Sequence, residues 1–443
     1  MSSGNLPEVV KSAPIDTLIR PFRRFIQIES SSGIVLIIIT VISLILANTF
    51  LKDFYHNLLH INFTIGLGDY TLSKGLDHWI NDGLMVIFFF VVGLEIKREL
   101  VSGELSSFKK SSFPIVAAIG GMVFPALVYA ALNWGHPYEM KGWGIPMATD
   151  IAFSLGILSL LGNRVPLSLK VFLTAFAIVD DLGAVIVIAV FYTANLSMAA
   201  LGIGLLIFLL MLLCNKLHVR HPLVYLILGV FLWLALLKSG VHATIAGVLA
   251  ALTIPTKAKI DVKEFVTKSR IIIDTIEDKR TAEQDISKNI EDLEDHSEKV
   301  LPLSNRLEHN LHLWVAFFIM PVFAFANAGV TLEQNIFTAL SNKVALGILL
   351  GLFIGKQIGI TFFCWLAVKS KIAELPEGTN WKMVYGAALL GGIGFTMSLF
   401  VSSLAFANPD VVANSKIGIL CGSLISALFG YFILKQSIKA RTN

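Results

Sequence analysis

The sequence predicts an all-α polytopic membrane protein of about twelve transmembrane helices. Three observations carry that expectation. Hydrophobic residues make up 55% of the 443-residue chain and charged residues only 15%, and the mean hydropathy is +0.74. Apolar stretches of roughly 17–25 residues recur, the length a helix needs to cross a bilayer. Between them, basic clusters alternate with loops that carry mostly a single Lys.

The apolar windows fall near 33–50, 78–101, 113–134, 142–162, 167–192, 198–215, 221–237, 240–255, 312–329, 343–368, 382–404 and 416–436. One set of loops holds Lys11, Arg20, Arg23 and Arg24; Lys97, Arg98, Lys109 and Lys110; Arg164 and Lys170; Lys216 and Arg220; Lys369 and Lys371; and Lys435, Lys439 and Arg441. The other set holds Lys52, Lys74, Lys141, Lys238, Lys343 and Lys416. Basic residues favour the cytoplasmic side, so both termini are expected there. The net charge of +4 adds little, because placement outweighs the sum. No cleavable signal peptide is expected. Residues 16–28 interleave Arg20, Arg23 and Arg24 with Leu18, Ile19, Phe22, Phe25 and Ile26, the pattern of an amphipathic helix lying on the membrane. Cys214, Cys364 and Cys421 are far apart and show no metal or redox spacing.

Two segments interrupt the pattern. Residues 61–75 alternate polar and apolar side chains around Gly66-Leu67-Gly68, which predicts a β-hairpin on the outer face. An isolated hairpin is marginal in water, so pairing with a second subunit is one reading and an ordered loop the other. Residues 256–311 form a charged loop rich in helix formers, expected as a cytoplasmic, helical or partly disordered insert.

The chemistry lies inside the apolar windows. Asp180 and Asp181 sit midway along the 167–192 span. A carboxylate at that depth costs roughly 2.5–3.5 kcal/mol on insertion scales. A packing role accounts for one buried aspartate better than for two neighbours. Adjacent helical residues lie about 100° apart, so both can reach one crevice. There they can hold protons near neutral pH or, ionised, offer hard oxygen ligands to a small cation. Asp150 follows Thr149 in a window crowded by Gly142, Gly144, Pro146 and Gly156, and Gly391, Gly392 and Gly394 crowd the 382–404 window. Each is either a helix interruption or a close-packed small-residue face. These windows are the middle members of two three-span units, 113–192 and 343–436, of opposite orientation. Interrupted helices at matching places in inverted units mark the site of a secondary transporter. Asp150 would offset the positive half-helix ends, and Lys356, deep in span ten, would serve the negative ends and pair with Asp180 or Asp181 unless it snorkels.

The stretches ATDIAFSLG, AIVDDLGAVIVIA, SGVHATIAGV, LEHNLHLWVAFFIMPVFAFANAGV and GGIGFTMSLF resemble the bacterial NhaA-type sodium/proton antiporters in order and spacing, over nearly the whole chain. The resemblance implies a fold with crossing interrupted helices at spans 4 and 11. It implies Na+ or Li+ and protons at Asp180 and Asp181, with Lys356 paired to Asp180 and with Asp150 and Thr149 at the crossing. It further implies pH sensing by Glu95, Arg98, Glu99, Glu308, His309 and His312, and a pH-linked role for His242. A helix-end ion-pair network and a satisfied core histidine remain the plainer readings of those groups. The long 256–311 insert departs from the family pattern.

The function expected is an electrogenic, pH-regulated antiporter of the bacterial cell inner membrane, exporting Na+, and also Li+, for two H+. It is expected to be a homodimer in the lipid bilayer, with no enzymatic activity, cofactor or nucleic-acid partner. The first rival is a sodium-coupled symporter of an organic solute, which would need a further buried polar site. The second is an intramembrane aspartyl enzyme, whose carboxylates come from separate segments rather than adjacent positions.

Overall fold

Runs of Leu, Ile, Val and Phe without strong breakers build the long helices, as in Leu167–Phe191 and Met198–Lys216. The computed structural model describes residues 31–67, 70–193, 196–277, 283–331 and 336–442, so the helix expected over 16–28 lies outside the described residues. The described chain is mostly helical. Eight of its helices are long and apolar enough to cross a membrane, and ten if each of two bent pairs is one span. The bent pairs are Ser31–Ala47 with Lys52–Leu59, at 113°, and Trp381–Gly391 with Phe395–Ala405, at 43°.

Two of the twelve apolar windows therefore do not form helices of membrane length. In the 142–162 window, Gly142, Gly144 and Pro146 weaken α-helical bonding. The chain winds instead as a tighter 3-10 helix over Glu139–Met147, is extended at Ala148 and Asp150, and resumes as the α-helix Ile151–Ser159. In the 240–255 window, Gly240 takes a left-handed φ of 85° to end Pro222–Ser239, and only Ile245–Thr253 is α-helical. That short helix is held at its C-terminal end by the Lys97 ammonium, which donates to the Leu252 carbonyl at 2.6 Å and to that of Ile254. A cation there suits the negative helix end.

The helix Lys343–Lys369 runs closely against Phe108–Leu132. At their crossing a Cβ on Gly120 would strike the Gly359 carbonyl, and one on Gly359 would strike that of Gly120. Only glycine permits such backbone contact. Just before Lys356 the helix widens into a π turn over Gly351–Gly355, which re-aims the side chains that follow.

Strands Asn62–Leu67 and Tyr70–Gly75 pair antiparallel, with Phe63 opposite Lys74 and Thr64 opposite Ser73. The Thr64 hydroxyl donates to that of Ser73 at 2.7 Å, and the Trp79 indole N–H donates to the Phe63 carbonyl at 2.9 Å. Residues 68–69 at the tip are outside the described set. Within the charged insert Val262–Glu277 and Glu283–Val300 are helical, and the chain then leads into Leu303–Ala328.

Candidate functional site

The two chain breaks meet inside the protein, and Asp150 lies between them. As the first residue outside Ile151–Ser159, it accepts from the Phe153 amide at 2.9 Å through Oδ1, capping that helix. Its Oδ2 accepts from the Thr396 amide at 3.1 Å and from the Thr396 hydroxyl. One carboxylate thus serves the positive ends of two half-helices. The carbonyl ends are met by two donors from the extended segment and one from the first turn of the helix that follows. The Asp150 amide donates to Ile393 at 2.6 Å, the Thr149 hydroxyl to Gly391 at 2.8 Å, and the Ser154 hydroxyl to Leu390 at 2.8 Å. The sequence predicts Lys356 at the negative half-helix ends; instead its ammonium bonds Thr149 and Asp180, and those carbonyls are met by other donors. The extended backbone at 148–150 frees its own donors to reach those carbonyls.

Lys356 links this crossing to the paired aspartates. Its ammonium donates to the Thr149 hydroxyl at 2.8 Å and to Asp180 Oδ2 at 2.8 Å. It also lies 5.5 Å from the centre of the Phe176 ring, one turn before Asp180. Lys356 is 0% exposed and Asp180, Asp181 and Asp150 are each 1% exposed, so the lysine does not snorkel. Asp180 Oδ1 and both carboxylate oxygens of Asp181 have no hydrogen-bond partner among the described residues.

Asp181 and Asp150 line a cavity of about 610 Å³ whose wall also carries Glu95, Arg98, Glu99, Glu308 and His312. Arg98 organises the far end. Its guanidinium donates to Glu308, and to Glu99 at 3.1 Å. The second oxygen of Glu99 accepts from the Glu104 amide at 2.9 Å. The structure thus brings five of the residues expected to sense pH onto one wall. The other two are elsewhere. His309 is exposed and off that wall. His242 packs edge-on to Phe400 at 6.3 Å, and its Nδ1 has no partner among the described residues.

Sequence reading missed Thr396, Ser154 and Phe176. The first two are hydroxyls in apolar helices, where the default partner is a carbonyl one turn back. Thr40 and Ser43 do just that, donating to Leu36 at 2.7 Å and Ile39 at 2.9 Å. The available signal was position: Thr396 lies two residues past Gly394, and Ser154 lies in the first turn after Asp150.

The chain matches the family model described as Na+/H+ antiporter 1 over residues 23–434. It is 53% identical over 434 residues to the Na(+)/H(+) antiporter NhaA of Oleidesulfovibrio alaskensis, covering 97% of this chain and 96% of that one. It is 49% identical over 426 residues to the Na(+)/H(+) antiporter NhaA of Pelagibacter ubique, covering 96% of this chain and all of that one. To the Na(+)/H(+) antiporter NhaA 1 of Clostridium beijerinckii it is 50% identical over 416 residues, covering 94% of this chain and 95% of that one.

Proposed function

Because this chain belongs to the Na+/H+ antiporter 1 family, of NhaA type, and is a multi-pass bacterial Na+/H+ antiporter, we propose that Asp180 and Asp181 are the carboxylates for which its Na+ and H+ compete. The observation that carries this reading is Asp181. It is buried against the cavity with neither oxygen hydrogen-bonded among the described residues. A carboxylate in mid-membrane costs roughly 2.5–3.5 kcal/mol. At Asp150 three hydrogen bonds and two helix ends offset that cost; at Asp180 the Lys356 ammonium does so. At Asp181 a proton or a small cation must do it.

The mechanism follows from that asymmetry. In the state open through the cavity, Na+ meets Asp181 and displaces its proton. Full ligation draws in Asp180, for which Lys356 must yield. The loaded site then turns to the other face, where protons displace Na+. If each carboxylate sheds one proton per ion, two H+ enter for each Na+ that leaves. One net charge then moves inward, and 100 mV of membrane potential adds about 2.3 kcal/mol of drive. Li+, a small hard cation like Na+, fits the same oxygens.

The same reading places the protein in the inner membrane with both termini cytoplasmic, in keeping with the basic loops. The three-span units 113–192 and 343–436 act as inverted repeats whose middle helices break at the crossing. Glu95, Arg98, Glu99, Glu308 and His312 form a charged entrance whose protonation tunes the rate. Parts for His309 and His242 rest on family resemblance alone. The Asn62–Gly75 hairpin pairs two subunits by adding strand to strand. Neither the symporter nor the intramembrane enzyme has support in the matched family, whose named relatives are antiporters.

Flux of radiolabelled Na+ against a pH gradient in proteoliposomes, with no organic solute present, tests the reading. Uptake that follows the gradient in the parent and vanishes in Asp181→Asn supports it. Parent-level exchange in Asp181→Asn overturns the site assignment.

A further inference from the structure

The half-helix Phe395–Ala405 begins at Gly394 and has no cap of its own. A Cβ on Gly394 would lie 2.8 Å from a Leu352 methyl and 3.1 Å from the Ala148 carbonyl, so a side chain there would have to displace its neighbours. The first amides of a helix have no partner within it, and this start lies among buried residues. Two outside side chains meet them. Asp150 takes the Thr396 amide at 3.1 Å. Ser423, on the helix Pro409–Thr442, takes the two before it. Its hydroxyl oxygen accepts from the Gly394 amide at 3.2 Å and the Phe395 amide at 3.1 Å. Ser423 is 5% exposed, and a hydroxyl oxygen has two lone pairs for two such bonds.

We infer that Ser423 is a positioning residue for antiport: its hydroxyl fixes the start of the Phe395–Ala405 half-helix so that Asp150, and through it the Thr149–Lys356–Asp180 chain, stays in register. Consecutive amides share two acceptors of different kinds. Asp150 brings charge and is already committed to the Phe153 amide. Ser423 is neutral, so it can hold the backbone without adding a second negative charge beside Asp150. Without it, the Gly394 and Phe395 amides turn towards the remaining acceptor, which is the Asp150 carboxylate. The extended segment that carries Thr149 then shifts with Asp150, and Thr149 is one of the two groups that hold Lys356. Ser423 touches neither aspartate of the pair, and it acts on cation binding through the half-helix.

The inference rests on the antiport activity and on Asp150 as the shared cap. It rests as well on Asp180 taking part in cation binding, which the Asp180→Asn and Asp181→Asn transport assays decide separately. The test compares Ser423→Thr with Ser423→Val, two side chains of one shape that differ by the hydroxyl, and adds Ser423→Ala in case valine is not accommodated. Initial Na+/H+ exchange is measured in proteoliposomes, with Na+ titrated at each pH. The expected result is an apparent KM for Na+ raised about three- to tenfold, and a displaced pH profile, in Val and Ala. This is the scale of one or two lost membrane hydrogen bonds. Thr should match the parent. A role in packing alone would lower the amount of protein and leave KM and the pH profile of the folded fraction unchanged. Such a result in Val or Ala overturns the inference, as does a Thr variant that behaves like Val. If neither Val nor Ala accumulates while Thr does, the hydroxyl is a folding requirement and the positioning role falls.

Discussion

The Lys356 ammonium lies 2.8 Å from the Asp180 carboxylate with both side chains fully buried, while both oxygens of Asp181, the next residue, have no partner among the described residues. Adjacent carboxylates thus stand in unlike environments. One is held by a fixed cation and the other faces the cavity. A shared site for a proton and a metal cation needs such a difference, because a carboxylate already neutralised by lysine gives a cation little to gain.

Asp181→Asn should insert and fold yet lose Na+-driven proton movement to the level of empty liposomes. An amide cannot release a proton in this range or attract a cation as a charge does. Asp180→Asn should do the same, for the same reason. Fluorescence quenching of a pH-sensitive dye on Na+ addition measures both, and a near-normal signal in either mutant would refute its place in the exchange.

Lys356→Ala should lower thermal stability in detergent as well as activity. It leaves Asp180 charged and unpaired, and breaking a buried pair in this way costs about 3–5 kcal/mol. Lys356→Ala combined with Asp180→Ala should regain much of the lost stability without regaining transport. A single mutant as stable as the parent would show that the pair contributes nothing to holding the helices.

Glu308→Gln should change the pH at which the maximal rate is half its plateau, because it unloads Arg98 at the cavity wall. Arg98 is 39% exposed but Glu308 only 9%, so the change in stability should be modest, about 1–2 kcal/mol. Rates at saturating Na+ across pH read this directly. Superimposable profiles for mutant and parent would remove the entrance cluster from regulation.

Deleting residues 62–74 should leave transport intact and turn a dimer into a monomer in detergent. A chain of 48.4 kDa makes the two states easy to tell apart by light scattering on a gel-filtration column. An unchanged mass would end the hairpin's part in pairing.

Charge in an apolar run is the clearest signal a membrane sequence offers, because only a partner or a function repays its cost. Asp180, Asp181 and Lys356 were legible on that ground, and Asp150 through the glycines and proline around it. The partners of Asp150 were harder to read. Thr396 and Ser423 look no different in sequence from Thr40 and Ser43, which bond back to their own helix. Only the close approach of the Phe395 helix start to Asp150 and to the Pro409–Thr442 helix distinguishes them. The break in the 142–162 window was legible through Gly142, Gly144 and Pro146, whereas the 240–255 window gave no sign that only Ile245–Thr253 is α-helical. Hydropathy sums apolar residues, yet the backbone at Pro146 and Gly240 decides whether they form one continuous helix.

The most direct test of the shared site is the apparent KM for Na+ as a function of pH. If Na+ and H+ use the same carboxylates, binding the ion requires removing protons. Where the site is mostly protonated, KM should rise about tenfold for each unit fall in pH if one proton leaves, and about a hundredfold if two leave. The maximal rate should change much less. Initial exchange in proteoliposomes from about pH 6 to 9, with Na+ titrated to saturation at each pH, gives both quantities. A KM that climbs with acidity on either slope is the result this account predicts; a KM independent of pH across that range would contradict competition at Asp180 and Asp181.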